Sequence, residues 1–170
     1  ETCINNSVEE LEYSLTNTIR KLQRTKRAEV TFIEGHHELD TVYQYDFMRV
    51  LSEYYQVNRT SISKGKELSA LKGSDAIIIT KPDTLFTDKE KFVIDQYIMN
   101  GGKVLWLIDP VSTNTDSLQK GFTIGINRPL GIEDMLFKYG VRLNPVLVQD
   151  LTCGYLKINV GFQKGQPKMQ

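Results

Sequence analysis

The side chains with the most chemistry in them stand together at Gly35-His36-His37-Glu38, which holds both of the chain's histidines. Imidazole titrates near neutral pH, and beside a carboxylate it can move a proton or ligate a divalent ion. With Asp109 added, His36, His37 and Glu38 could form the centre of a metal-dependent hydrolase. Adjacent residues point in different directions, however, and no third histidine exists to complete a ligand set. The plainer account is a loop whose polar groups make hydrogen bonds, with no resident metal or cofactor. A second group is Thr80-Lys81-Pro82-Asp83-Thr84. Thr84 could act as a nucleophile only with a neighbouring base, and the sequence identifies none.

Standard catalytic and phosphate-binding templates are missing. There is no G-x-x-x-x-G-K-[ST] loop, no G-x-G-x-x-G and no G-x-S-x-G. A glutamine-amidotransferase-like enzyme would need a reactive cysteine in the turn after the Ile77 run, and neither Cys3 nor Cys153 is there. On these grounds the chain is expected not to be an enzyme.

The elements that must position these loops follow from periodicity. Ile4, Val8, Leu11, Leu15, Ile19 and Leu22 recur at helical spacing, with Ser7-Val8-Glu9-Glu10 as a capping box at the start. Glu9, Glu10 and Glu12 precede Arg20, Lys21, Arg24, Lys26 and Arg27, which suits the helix dipole. The basic cluster reads as a solvated helix end. Glu29 to Ile33 then reads as a strand. A helix is expected over Thr41 to Tyr55, burying Tyr43, Phe47, Val50, Leu51 and Tyr54. Four tyrosines, Tyr43, Tyr45, Tyr54 and Tyr55, crowd that helix, so some must face outward. Interface use and ordinary amphipathic burial are both open there.

Val57 to Ile62 alternates like an edge strand, Lys64-Gly65-Lys66 is a turn, and Leu68 and Leu71 fit a short connecting helix. Ala76 to Ile79 and Lys103 to Ile108 are apolar runs of the kind buried on both faces of a parallel sheet. Trp106 is expected in the core. Thr87-Asp88-Lys89-Glu90 is a capping box for a helix that closes at Asn100-Gly101-Gly102. Ser112 to Gly121 reads as a surface loop, Ile132 to Tyr139 as a short helix, and Val141 to Val148 as a strand interrupted by Pro145.

Strands alternating with helices predict an α/β fold. The expected form is a doubly wound, mostly parallel sheet, flavodoxin-like or class I glutamine amidotransferase-like, in the order 2-1-3-4. The Val30, Ile77 and Val104 strands are expected at its centre, with an N-terminal amphipathic helix ahead of it. Residues 1–27 would hold that helix, 28–150 the sheet domain, and 151–170 a tail leading into a missing C-terminal part. In such a sheet ligands bind beyond the carboxyl ends of the strands. That rule brings together His36, His37, Glu38, Lys81, Asp83, Thr84 and Asp109 as a ligand-binding crevice.

Composition sets the outer bounds. The chain has 170 residues, with 21 basic and 21 acidic side chains and zero formal charge. A nucleic-acid binder would usually carry a basic excess, so no nucleic acid is expected. The apolar runs are far shorter than the ~20 residues a membrane span needs. An opening Glu1 in place of Met is what a segment cut from a longer protein shows, with membrane segments left open in its flanks. Cys3 and Cys153 could form a disulfide in an oxidising compartment or remain two separate thiols.

Three stretches carry a resemblance. The strand leading to Gly35-His36-His37-Glu38, the Lys81-Pro82 turn, and the block Asp95-Gln96-Tyr97-Ile98-Met99-Asn100-Gly101-Gly102-Lys103-Val104-Leu105-Trp106-Leu107-Ile108-Asp109-Pro110 are similar to the extracytoplasmic auxiliary domain of certain bacterial ABC transporters. Ile132-Glu133-Asp134-Met135-Leu136-Phe137-Lys138-Tyr139-Gly140-Val141 and Gln149-Asp150-Leu151-Thr152-Cys153-Gly154-Tyr155 resemble the gliding motility-associated substrate-binding subunits of that group, of the Bacteroidetes type. The architecture also resembles an intraflagellar-transport interaction domain. The family often has Gly-His-Gly-Glu in the first loop, and His37 stands here where the second Gly would be.

The resemblance implies a membrane-anchored subunit on the periplasmic face of the bacterial inner membrane. Its partners would be ABC permease and ATPase subunits and other gliding-motility membrane proteins, with a homo- or hetero-dimer open and ATP hydrolysis left to the partner. The expected work is protein–protein contact. A small-molecule or saccharide receptor using the crevice is the alternative, and the metal-dependent hydrolase a second one.

Overall fold

The computed structural model describes residues 2–23, 26–62, 68–113, 122–148, 152, 159–163 and 166–169. Helix α1 (Thr2–Gln23) leads into strand β1 (Glu29–Glu34). Helix α2 (Thr41–Ser52), strand β2 (Gln56–Ser61), a 3-10 turn (Leu68–Leu71), strand β3 (Ala76–Thr80), helix α3 (Asp88–Met99) and strand β4 (Lys103–Leu107) follow. The four strands pair in parallel in the order β2-β1-β3-β4. This is the α/β, doubly wound arrangement that the alternation of strands and helices predicts. No described helix is long and apolar enough to cross a membrane.

Most of the core lies on the α3 side of the sheet. Ile33, Ile77 and Ile79 point there and meet Phe86, Val93, Ile94 and Tyr97, with Leu130, Ile132, Met135 and Leu136 closing the far side. The last two belong to helix α4 (Glu133–Lys138), which ends at Gly140 with φ +86°. The α2 side is thinner: Val30, Phe32 and Ile78 are buried under Met48, Leu51 and Tyr55. Trp106 is half-buried and packs edge-on against Phe86, with ring centroids 6.2 Å apart.

Helix α3 is fixed at both ends by local chemistry. The Thr87 hydroxyl oxygen accepts the Glu90 amide, and a Glu90 carboxylate oxygen accepts the Thr87 amide at 2.7 Å. This capping box satisfies amides that a helix start leaves free. At the other end Gly101 takes φ +89°. A Cβ on Gly102 would stand 2.3 Å from the Tyr97 ring, so glycine is what lets that ring lie across the turn. The Tyr97 hydroxyl then donates to the Ser74 carbonyl at 2.9 Å, tying α3 to the start of β3.

Several expectations are corrected. The Lys103–Leu107 strand is an edge strand, not a central one, because β3 occupies its inner side and Leu105 and Leu107 face out. Helix α2 ends at Ser52 and is rotated by about one residue, roughly 100°, from the expected face. Gln44, Met48, Leu51 and Tyr55 turn inward, whereas Tyr43, Phe47 and Val50 are exposed. Helix α1 starts at Thr2, so Ser7 lies inside it rather than at its start. Residues 141–148 run without pairing into a described strand. Two short hairpins were not expected: β5 (Val111–Ser112) with β6 (Ile126–Asn127), and β7 (Asn159–Gln163) with β8 (Gln166–Met169). The Lys64-Gly65-Lys66 turn, residues 114–121 and Cys153, hence the Cys3–Cys153 disulfide, lie outside the described residues.

Candidate ligand crevice

The chain leaves β1 through a turn that only unusual backbone angles can make. Gly35 takes φ +125° and His37 takes φ +51°. The second value answers the question that the missing glycine raises: this position does adopt the left-handed conformation, and a histidine holds it. The turn separates the two imidazoles. His36 goes inward and is buried, and His37 goes outward.

The His36 ring stacks on Phe86, with centroids 3.8 Å apart and planes within 15°. Its Nδ1 lies 3.3 Å from Glu38 Oε1 and its Nε2 lies 3.2 Å from Glu90 Oε2. Neither contact has the geometry of an aligned hydrogen bond, so the attraction is chiefly between charges. Burial alone pushes the His36 pKa down. Contacts with Glu38 and Glu90 outweigh burial, and the pKa is raised. Glu38 is pushed up by burial, but His36 and the loop amides outweigh that and lower it. Glu90 is likewise pushed up by burial, and Thr87 and His36 bring it down. The arrangement is an imidazole held between two carboxylates that favour its protonated form. The other Glu38 oxygen accepts the Gly35 and His36 amides at 2.9 and 2.8 Å, and the His36 carbonyl accepts the Asp83 amide at 2.8 Å. His36 thus joins the β1 loop, the β3 loop and the start of α3.

The β3 loop repeats the strain. Lys81 takes φ +48°, its amide donates to the Leu107 carbonyl at 2.7 Å, and its ammonium lies 3.3 Å from Asp109 Oδ2. Asp83 pairs with Arg128, whose own amide donates to the Pro110 carbonyl at 3.0 Å. These loops enclose a cavity of about 320 Å3 at the carboxyl ends of the strands. His37, Glu38, Lys81, Asp83 and Asp109 line it, as the sequence led one to expect, and Asp40, Tyr43 and Arg128 join them. His36 and Thr84 do not line it: His36 lies beneath as a strut, and Thr84 is half-buried at the side. Arg128 was missed because it arrives from a distant, weakly patterned segment; the nearby Arg128-Pro129 turn is the one signal for a loop there.

A larger hollow of about 760 Å3 lies at the opposite pole, before β3 and β4, between Leu71, Ser74, Tyr97 and Lys103. Lys72 and Asp75 line it as well, but its positive φ angles fall on the glycines Gly73 and Gly101. The crevice carries them on His37 and Lys81, and backbone strain of this kind collects where loops are held for a task. Its chemistry is that of ion pairs on an open rim. The ligand set for a hydrolase is not assembled: His36 is occupied by two carboxylates while Asp109 stands exposed beside Lys81, and no group of three metal-binding side chains converges among the described residues.

The chain is a four-stranded, doubly wound α/β domain with a salt-bridged crevice at its strand ends. Residues 27–170 match the family model described as an ABC-type uncharacterized transport system, and the chain belongs to that family. It is therefore an auxiliary domain of an ABC transport system, associated with transporter components. No curated protein matches the chain.

Proposed function

We propose that the domain serves a gliding-motility ABC transporter as a non-enzymatic accessory part on the periplasmic face of the inner membrane, working by protein–protein contact. The observation that carries this reading is the apolar surface left exposed on α2 and on the edge strand β4. Tyr43 and Val50 of α2 and Leu105 and Leu107 of β4 are exposed, and Phe47 keeps an exposed part while its ring packs edge-on against Phe32. Exposed apolar side chains gathered into a patch mark contact sites. The gliding-motility assignment rests on the likeness of residues 132–141 and 149–155. The test is retention of the domain by detergent-solubilised permease and ATPase subunits. Retention that falls at least tenfold in Phe47→Ser with Leu105→Ser supports the proposal. No association at high concentration sinks it.

The crevice favours a second reading, a receptor for a small molecule or saccharide. Its two strained loops and paired charges resemble a rim held ready to exchange ion pairs for ligand contacts. Saturable thermal stabilisation by a sugar or a short peptide, lost in Arg128→Ala, would favour this reading over the first.

A further inference from the structure

The two carboxylates that hold the buried ring beneath the crevice are not equivalent. Among the described residues, the charged groups that meet His36 are Glu38 from its own loop and Glu90 from α3. The segment before α3 brings the uncharged Phe86, with Trp106 of β4 behind it. Glu90 meets His36 Nε2 with the same oxygen that accepts the Thr87 amide and hydroxyl, both at 2.7 Å. That oxygen stays satisfied without the ring, and moving it would undo the start of α3. Glu38 divides its two oxygens. Oε2 accepts the Gly35 and His36 amides, while Oε1 is buried with no hydrogen bond and faces His36 Nδ1 at 3.3 Å. Glu38 also lines the crevice above.

A ring with both nitrogens protonated can face both carboxylates. A neutral ring carries one N–H and one lone pair, so one carboxylate must then face the lone pair. In a buried site that contact is costly, because no water shields the two acceptors from each other. Glu90 can withdraw only by breaking the capping box. Glu38 can withdraw into the crevice of about 320 Å3 that it already borders, and be hydrated there.

We propose that His36 is a proton-operated latch on the crevice: the protonated ring keeps Glu38 beneath the rim, and loss of the proton to solvent turns Glu38 out into the crevice. The released carboxylate joins Asp40, Asp83 and Asp109 there, so the site becomes more negative. The Gly35 and His36 amides lose their acceptor at the same moment. The latch belongs to the loops and does not rest on what the crevice binds.

Solution NMR of the 170-residue chain through a pH series tests this. It follows the His36 imidazole together with hydrogen exchange at the Gly35, His36 and Thr87 amides, each corrected for the base-catalysed intrinsic rate. As His36 gives up its proton, protection of the Gly35 and His36 amides should fall about tenfold, while that of Thr87, which donates to Glu90, should hold. His37→Ala removes the exposed imidazole and should leave the step in place. Glu38→Gln has no charge to expel and should abolish the step while His36 still titrates. The inference fails if His36 titrates and the Gly35 and His36 amides stay protected, or if the ring keeps its proton up to about pH 9. It fails equally if the Thr87 amide loses protection at the same midpoint, if His37→Ala removes the step, or if Glu38→Gln retains it. Should Glu38→Gln not fold, the contrast between Gly35 and Thr87 in the unaltered chain decides.

Discussion

The two sides of the sheet do different work. On the α3 side, thirteen buried residues form one cluster, reached by β1, β3, α3 and α4. On the α2 side the buried apolar cluster among the described residues is Val30, Phe32 and Ile78, and Leu105 and Leu107 of the edge strand stay in contact with water. The same contrast recurs between two neighbouring residues: His36 is locked between carboxylates beneath the crevice, and His37 stands on its rim. Burial holds the fold on one side, which leaves the other side free to be shaped for contact.

The largest test of that contrast is a pair of truncations measured by urea unfolding. Ile79→Ala removes a side chain with no exposed surface and should cost about 2–5 kcal/mol, the range for emptying a packed site. Val50→Ala on the open side should stay within about 0.5 kcal/mol. Similar losses at both positions would break the comparison.

A smaller effect tests the strut beneath the crevice. Glu90→Ala deletes the capping-box carboxylate and a carboxylate partner of the buried His36 imidazole together. A cost of about 2 kcal/mol is expected, because a lost cap costs roughly 1 and an ion left without its partner adds to it. Asp88→Ala two residues earlier removes only an exposed pair with Lys91 and should cost far less, which separates the buried carboxylate from charge in general.

The strut also sets a pH dependence. The His36 pKa is raised in the folded state, so its stabilisation is complete below the unfolded value near 6.5 and is lost as pH rises through the folded value. Glu38 and Glu90 are lowered, so their contribution is present above the unfolded value near 4.5 and is lost as pH falls through their folded values. Stability should therefore be greatest in the mildly acidic band between and should decline toward alkaline pH. His36→Gln should flatten that alkaline decline. A variant as steep as the wild type would assign the limb to other groups.

Much of this was legible in the chain. The parallel sheet and its order follow from apolar runs at Val30–Ile33, Ala76–Ile79 and Val104–Ile108 with helices between them, and the Thr87–Glu90 box marks its helix correctly. The loops that meet at the crevice follow from the strand-end rule. Residue type misled where polarity and burial part company. Gln44 is buried with its amide donating to the Leu39 carbonyl, while the more apolar Tyr43 and Val50 stay outside and Phe47 reaches the core only edge-on against Phe32; hydropathy therefore assigns the wrong face to α2. The β4 run reads as buried on both faces, yet nothing in its composition records that no described strand pairs with its outer edge. That His36 turns in and His37 out depends on backbone angles that the letters do not print.

The smallest prediction uses that pair of histidines directly. At φ +51° a side chain with a Cβ is crowded by the following carbonyl, and histidine bears this better than a branched residue but worse than glycine. His37 is exposed, so its replacement removes little packing. His37→Gly should then stabilise the domain by about 0.5 kcal/mol, the relief of strain being partly offset by the greater freedom of glycine in the unfolded chain. The double variant with Lys81→Gly, at φ +48°, should gain less than twice as much, because the two loops are joined by hydrogen bonds and the second change also removes the Lys81–Asp109 pair. Calorimetric melting resolves both. A loss of stability in His37→Gly would mean that the rim imidazole makes a contact worth more than its strain, and the crevice would then belong with the buried half of the molecule rather than the open one.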